Sequence, residues 1–206
     1  MSRAYEASGR VRQKERTRAA LVAAARDLIA GGVPAPTVGA AAAAADISRT
    51  TAYRYFPDQR SLLVAAHPEI DIVSLLDRDT APDVESRFRA AVGAFTDLVV
   101  RTEDQQRTML RLSLAASDQA PALPLRQGRA IGWFAEALSP LREEWGEEGI
   151  LRLAVAVRSA IGIEALIWLT DVGGLSVPAA VEVMHWTAAS LLQQALATGP
   201  PPRSRG

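Results

Sequence analysis

Apolar residues recur along this chain three and four positions apart, the spacing of a helix, and no run alternates as a strand would. Over Val11–Ala30, Leu21, Ala24, Ala25, Leu28 and Ile29 fall on one stripe, which Gly31, Gly32, Pro34 and Pro36 end. Thr37 can cap a short helix over 38–45, and Asp46 and Ile47 make a turn. Ser48 can cap a second short helix over 49–55, broken by Pro57 and Asp58, and another runs from Gln59 to about Ala66. Residues 67–82 read as partly helical and partly linking. Asp83–Arg101 repeats Phe88, Ala91, Val92, Phe95, Leu98 and Val99, an amphipathic helix. Further helices are expected over about 103–117, 122–145, 148–171 and 177–197, separated by Pro121, Pro124, Gly146 and the segment DVGGLSVP. The reading is all-α, with about nine helices: a small N-terminal group and a larger C-terminal bundle. The two ends, 1–10 and 198–206, read as disordered.

The stretch 37–56 changes character along its length. Two short helices joined by a tight turn, inside a three-helix module, describe a helix-turn-helix. The run Ala40–Ala45 is small enough for close helix approach, and Ala favours so short a helix. The second helix carries Arg49, Thr50 and Thr51 in its first turn, where such a helix meets base edges. Tyr53, Arg54 and Tyr55 follow, with groups suited to phosphate oxygens, and Phe56 anchors the end in a core. Pattern alone is equally met by an ordinary solvated helix pair.

Charge sharpens the picture. The net charge is zero, yet residues 1–65 hold ten Arg/Lys against five Asp/Glu, a net +5, and the remainder carries −5. A basic N-terminal module on an acidic body suits a polyanion at one end. There is no cysteine, and His67 and His185 lie far apart, so neither a cysteine nucleophile nor a metal site is expected. No cofactor is expected either. GVPAPTVGA lacks the glycine spacing of a nucleotide loop, and no histidine is paired with acids, which argues against an enzyme. Glu143, Glu144, Glu147 and Glu148 around Trp145 and Gly146 read as a solvated helix junction. The first ten residues lack the apolar stretch of a signal peptide. The most apolar window, Ile150–Leu169, is interrupted by Arg152, Arg158 and Glu164, which point in three directions, so no membrane partner is expected.

TRAALVAAARDLIAGG, then PTV, then ISRTTAYRYFPDQRSLL, together spanning roughly Arg12–Ala66, resemble the N-terminal domain of the tetracycline-repressor (TetR/AcrR) family of transcriptional regulators. The resemblance implies a DNA-binding domain over 11–66, with its motif at 37–56, and a ligand-binding and dimerisation domain over 67–197. Carried onto this chain, the DNA-contacting residues are Thr37, Ser48, Arg49, Thr50, Thr51, Tyr53, Arg54, Tyr55, Gln59 and Arg60. Two positions depart from the family pattern. Asp46 stands where the turn usually has Gly, and Gln59 stands where a phosphate-touching Lys usually opens the fourth helix, with Arg60 as a replacement. Arg10, Arg12, Lys14, Arg16 and Arg18 could reach phosphates or the minor groove, or form a frayed solvated segment.

The resemblance also implies a homodimer joined through the last two long helices. Helix 148–171 is apolar nearly all round, as a helix packed on two sides would be. Helix 177–197 places Val181, Met184, Ala188, Leu191, Leu192 and Ala195 on one stripe and leaves Val183 and Trp186 off it. Ile161, Glu164, Ala165, Trp186 and Leu191 are the expected interface residues. Phe88, Phe95, Met109, Trp133, Phe134, Trp145 and Trp168 are candidate walls of an effector site, with Arg111, Arg158, Glu164 or His185 orienting the ligand. Plain core packing competes for each aromatic, and an ion pair competes for Arg158 and Glu164. The expectation is a cytoplasmic, ligand-responsive repressor that binds a pseudo-palindromic double-stranded operator as a homodimer and is released by a small apolar or amphipathic effector. The alternative is a small-molecule sensor or carrier acting through protein partners, its DNA binding weakened.

Overall fold

The computed structural model describes residues 2–114 and 128–202, and among these all regular structure is helical. The order is α1 (Ser2–Ala30), α2 (Val38–Ala44), α3 (Arg49–Tyr55) and α4 (Gln59–Ala66), then a 3-10 turn at Pro68–Asp71. There follow α5 (Val84–Arg101), α6 (Glu103–Leu114), α7 (Arg129–Ala137), a 3-10 turn at Ser139–Leu141, α8 (Arg142–Ile161), α9 (Ile163–Ile167), a π-turn at Trp168–Val172 and α10 (Val177–Thr198). The described residues fall into two compact units. One holds the chain up to Asp71 together with α6 from Asp104 onward; the other holds 72–103 and everything described from Gly128.

The first unit is built on small residues. Leu21 and Ala25 of α1, Val38, Ala41 and Ala42 of α2, Ala52 of α3, Phe56, and Leu62, Ala65 and Ala66 of α4 form one buried cluster. The alanines let α2 lie close to α1 and α3, and Phe56 fills the space they leave. Burying a phenylalanine contributes about 2–3 kcal/mol. Arg26 fixes the end of α4: its Nε donates to the Ala66 carbonyl at 3.1 Å, and its Nη2 pairs with Asp71 at 2.6 Å. That ion pair is largely exposed, so the carbonyl bond at the helix end is the more useful contact.

The second unit packs α5, α7, α8 and α10. Phe95 meets Phe134 edge-on, with centroids 5.4 Å apart and planes at 82°. Trp133 is buried and donates its indole N–H to the Val73 carbonyl at 3.2 Å. On α10, Met184, Ala188, Leu192 and Ala195 are buried, as their common stripe predicts.

α2, α3, α4, α5 and α10 stand within a residue of their expected bounds. Three differences have physical causes. α1 begins at Ser2 and takes in most of the segment expected to be irregular; between Ser2 and Thr17 only Gly9 is a poor helix former. The helix expected over 122–145 ends at Ala137, because Pro140 has no N–H to continue it, and α8 then runs through a left-handed kink at Gly146 (φ 66). The helix expected over 148–171 is cut at Gly162, which is extended (φ −90, ψ −173). A Cβ there would strike the Arg158 guanidinium, which fills that space to reach Glu164 across the break at 3.1 Å. Residues 115–117 and 122–127 of the expected helices, Pro121 and the end of the tail from Arg203 lie outside the described residues. The described tail is held, with Arg152 Nε donating to the Pro201 carbonyl at 2.6 Å.

Candidate nucleic-acid interface

Capping and turn chemistry set the aim of α3. Thr37 Oγ1 accepts from the Ala40 N–H at 3.1 Å and starts α2. The end of α2 closes when Ile47 N–H reaches the Ala42 carbonyl at 2.9 Å and Asp46 N–H reaches Ala43 at 3.3 Å. This paired closure needs a left-handed residue just past the helix, and Asp46 takes that role at φ 53. Gly32 (φ 91) does the same for α1, where Val33 N–H reaches the Leu28 carbonyl at 2.9 Å. Aspartate tolerates this conformation better than most residues, so the turn forms without the glycine.

Ser48 then opens α3. Its Oγ accepts from the Thr51 N–H at 3.2 Å and donates to Thr51 Oγ1 at 2.9 Å. Ala52 and Phe56 face the core, and Tyr55 is half-buried against it. Arg49, Thr50, Tyr53 and Arg54 occupy the other side and are exposed, Tyr53 by 49%. Four hydrogen-bonding side chains thus share one outward face of two turns. Arg49 lies over the start of α2, its Nε 3.5 Å from where a Cβ of Gly39 would stand. Gly39 leaves it room, a relation that no spacing rule in the sequence signals.

The remaining predicted contacts are placed differently. Gln59 Nε2 donates to the Ala35 carbonyl at 2.7 Å, and half-buried Arg60 reaches the Leu112 carbonyl with Nη2 at 3.3 Å. Both side chains are thereby engaged inside the unit. Tyr55 gives its ring to packing, and Ser48 and Thr51 bond each other. On α1, Arg12, Lys14, Arg16 and Arg18 are exposed, and the Arg18 guanidinium sits 5.3 Å from the Phe56 ring centroid.

Residues 21–66, from the middle of α1 to the end of α4, match the family model of the bacterial regulatory proteins of the tetR family. This N-terminal segment is a tetR-family domain. Members of that family are DNA-binding transcriptional regulators, not enzymes. A search of curated proteins found no match to it. Among the described residues no helix is long and apolar enough to cross a membrane.

Beyond the matched region, the predicted effector residues are widely distributed. Phe95, Phe134 and Trp133 are buried in the second unit, and the Arg158 guanidinium lies 5.4 Å from the Phe95 centroid. Phe88 is buried too but borders a groove between α5 and α10. Met109 lies on α6 and belongs to the first unit. Trp168 is 64% exposed.

Of the predicted pairing residues, Trp186 is 71% exposed, Glu164 bonds Arg158, and Ala165 and Leu191 are half-buried. Ile161 is fully buried within the chain and offers no surface. Leu151, Val155, Val172 and Val183 are exposed instead. A helix apolar nearly all round hides from sequence reading which of its sides is the free one.

Proposed function

We propose that this regulator is a homodimeric repressor that holds a pseudo-palindromic double-stranded operator through residues 48–55 of each subunit. A small apolar or amphipathic effector in the C-terminal unit releases it. The observation that carries the reading is the division of α3, with Ala52 turned inward and Arg49, Thr50, Tyr53 and Arg54 outward. Arg49 and Thr50, in the first turn, are assigned to base edges, and Tyr53 and Arg54 to phosphates. Pairing through α8 and α10 is supported by their exposed Leu151, Val155, Val183 and Trp186, since solvated apolar residues in such number mark an interaction face. Two reading helices then address adjacent half-sites. Release requires only that the effector bind more tightly to a conformation in which those helices are misplaced. Its place of work is the cytoplasm, where its DNA is.

Fluorescence anisotropy on duplexes from upstream of its own gene, titrated at several salt concentrations, tests the reading. A sequence-selective complex that weakens with salt is expected. The inward engagement of Gln59 and Arg60 favours one other reading, a small-molecule sensor working through protein partners with weakened DNA binding. Absence of any selective, salt-sensitive complex would choose it.

A further inference from the structure

The N-terminal half of α5 and the middle of α10 leave a groove of about 480 Å³ between them. Its walls are Phe88, Val92, Trp186, Ala188 and Leu192. Gly93 also lines it, and a Cβ at Gly93 would meet no heavy atom within 4 Å. Glu85, Arg89 and Gln193 line it too and are exposed.

The groove has one polar group with a defined role. His185 Nε2 lies 2.7 Å from Thr96 Oγ1. The Thr96 hydroxyl is 3.0 Å from both the Val92 and the Gly93 carbonyls, either of which can take its single proton. With that proton on the backbone, its oxygen accepts and His185 donates from Nε2. In the neutral imidazole the hydrogen is then on Nε2, and Nδ1 is an acceptor.

We propose that this groove binds a small aromatic molecule carrying a single hydrogen-bond donor, a phenol in the simplest case, with the hydroxyl donating to His185 Nδ1. The proposal rests on the reading of the C-terminal unit as effector-binding and names the site and ligand chemistry for it. The volume falls within the roughly 300–1,000 Å³ of small-molecule sites, and aromatic and aliphatic walls with one fixed polar group are their usual make-up. A polyol would bring hydroxyls that the apolar walls cannot satisfy. A ligand without the donor leaves the acceptor unmade, the basis of discrimination between such pairs.

Isothermal titration of the full chain with 4-butylphenol and with 4-butylanisole, which differs by a methyl on the oxygen, tests this. The phenol should bind once per chain and about tenfold more tightly than the ether, the size of one net hydrogen bond. Gly93→Leu should abolish binding of both by filling the groove, with the thermal midpoint no lower and DNA affinity unchanged. Ala189→Trp, at an exposed groove residue, repeats the block if Gly93→Leu does not fold. His185→Leu should keep binding and erase the difference between the two compounds. Equal binding of phenol and ether by the wild type, binding of neither, or phenol binding that survives both blocking variants would overturn the site. So would a groove filled by the second copy's side chains, seen as phenol binding only to dissociated chains. Release of DNA by another small molecule, equal in wild type and blocked variants, overturns the groove and leaves the effector reading standing. Phenol binding in the groove without any effect on DNA supports the groove and removes the effector reading.

Discussion

Gln59 Nε2 donates to the carbonyl of Ala35 at 2.7 Å, tying the first residue of α4 to the loop that leads into α2. A residue expected from the family pattern to stand near a phosphate thus also ties the domain together. Gln59→Lys cuts the stitch and sets a cation there. DNA affinity at low salt should rise, and the slope of log K against log salt should steepen by about 0.9 for each phosphate newly neutralised. Gln59→Ala should lose about 1 kcal/mol of stability with the slope unchanged. Anisotropy titrations over a salt series and urea unfolding measure the two. An unchanged slope for the lysine variant would place position 59 away from the DNA.

Asp46 holds a left-handed turn that glycine adopts without strain. Asp46→Gly should stabilise the protein by roughly 0.5–1 kcal/mol, and Asp46→Val should destabilise it by more. Urea midpoints of the three proteins decide; a glycine variant no more stable than wild type would mean that the aspartate carries no strain.

The helices around the turn were legible because their limits are local. Thr37 and Ser48 each cap the helix that follows and announce themselves by residue type, while Asp58 and Asp83, read as a breaker and as a first helical residue, cap α4 and α5. The outward face of α3 was legible for the same reason, since Ala52 and Phe56 mark the inner side. What escaped was non-local. Arg60 bonds a carbonyl 52 positions away and Gln59 one 24 positions away, and nothing in either side chain distinguishes such a partner from a phosphate. Pro140 was visible but was read through, and Gly162 was hidden by the apolar run around it. Ile161 could not be told from Val155 by composition, yet one is fully buried and the other is 50% exposed.

Asp83 caps α5, its Oδ1 accepting from the Ser86 N–H at 2.8 Å. Chiefly that backbone bond, then one from the Ser86 side chain, holds the carboxyl below its ordinary range. The unfolded chain therefore takes up this proton at higher pH than the folded one. The cap's contribution is present above the ordinary aspartate pKa and is lost as pH falls through the lower folded value. Asp83→Asn should flatten that part of the acid limb of stability, and the Asp83 carboxyl resonance should titrate below those of free aspartates. Titration at the ordinary value would refute the capping contribution.

Val155 and Trp186 are exposed on α8 and α10. Val155→Glu should leave the thermal midpoint within a few degrees of wild type, because the side chain is half in water already. It should convert the dimer to monomer in sedimentation and weaken operator binding by roughly a hundredfold or more, the loss of linked half-site binding. A variant that remains dimeric would exclude this face from the pairing.

The outward face of α3 is best tested by selection of binding sites from randomised duplexes, run in parallel on the wild type, Arg49→Ala and Thr50→Ala. The wild type should enrich an inverted repeat. Each variant should lose preference at its own base position in both half-sites, at a cost of about 1–3 kcal/mol per contact. Enrichment of the same repeat by all three proteins, or of none by the wild type, would contradict the account.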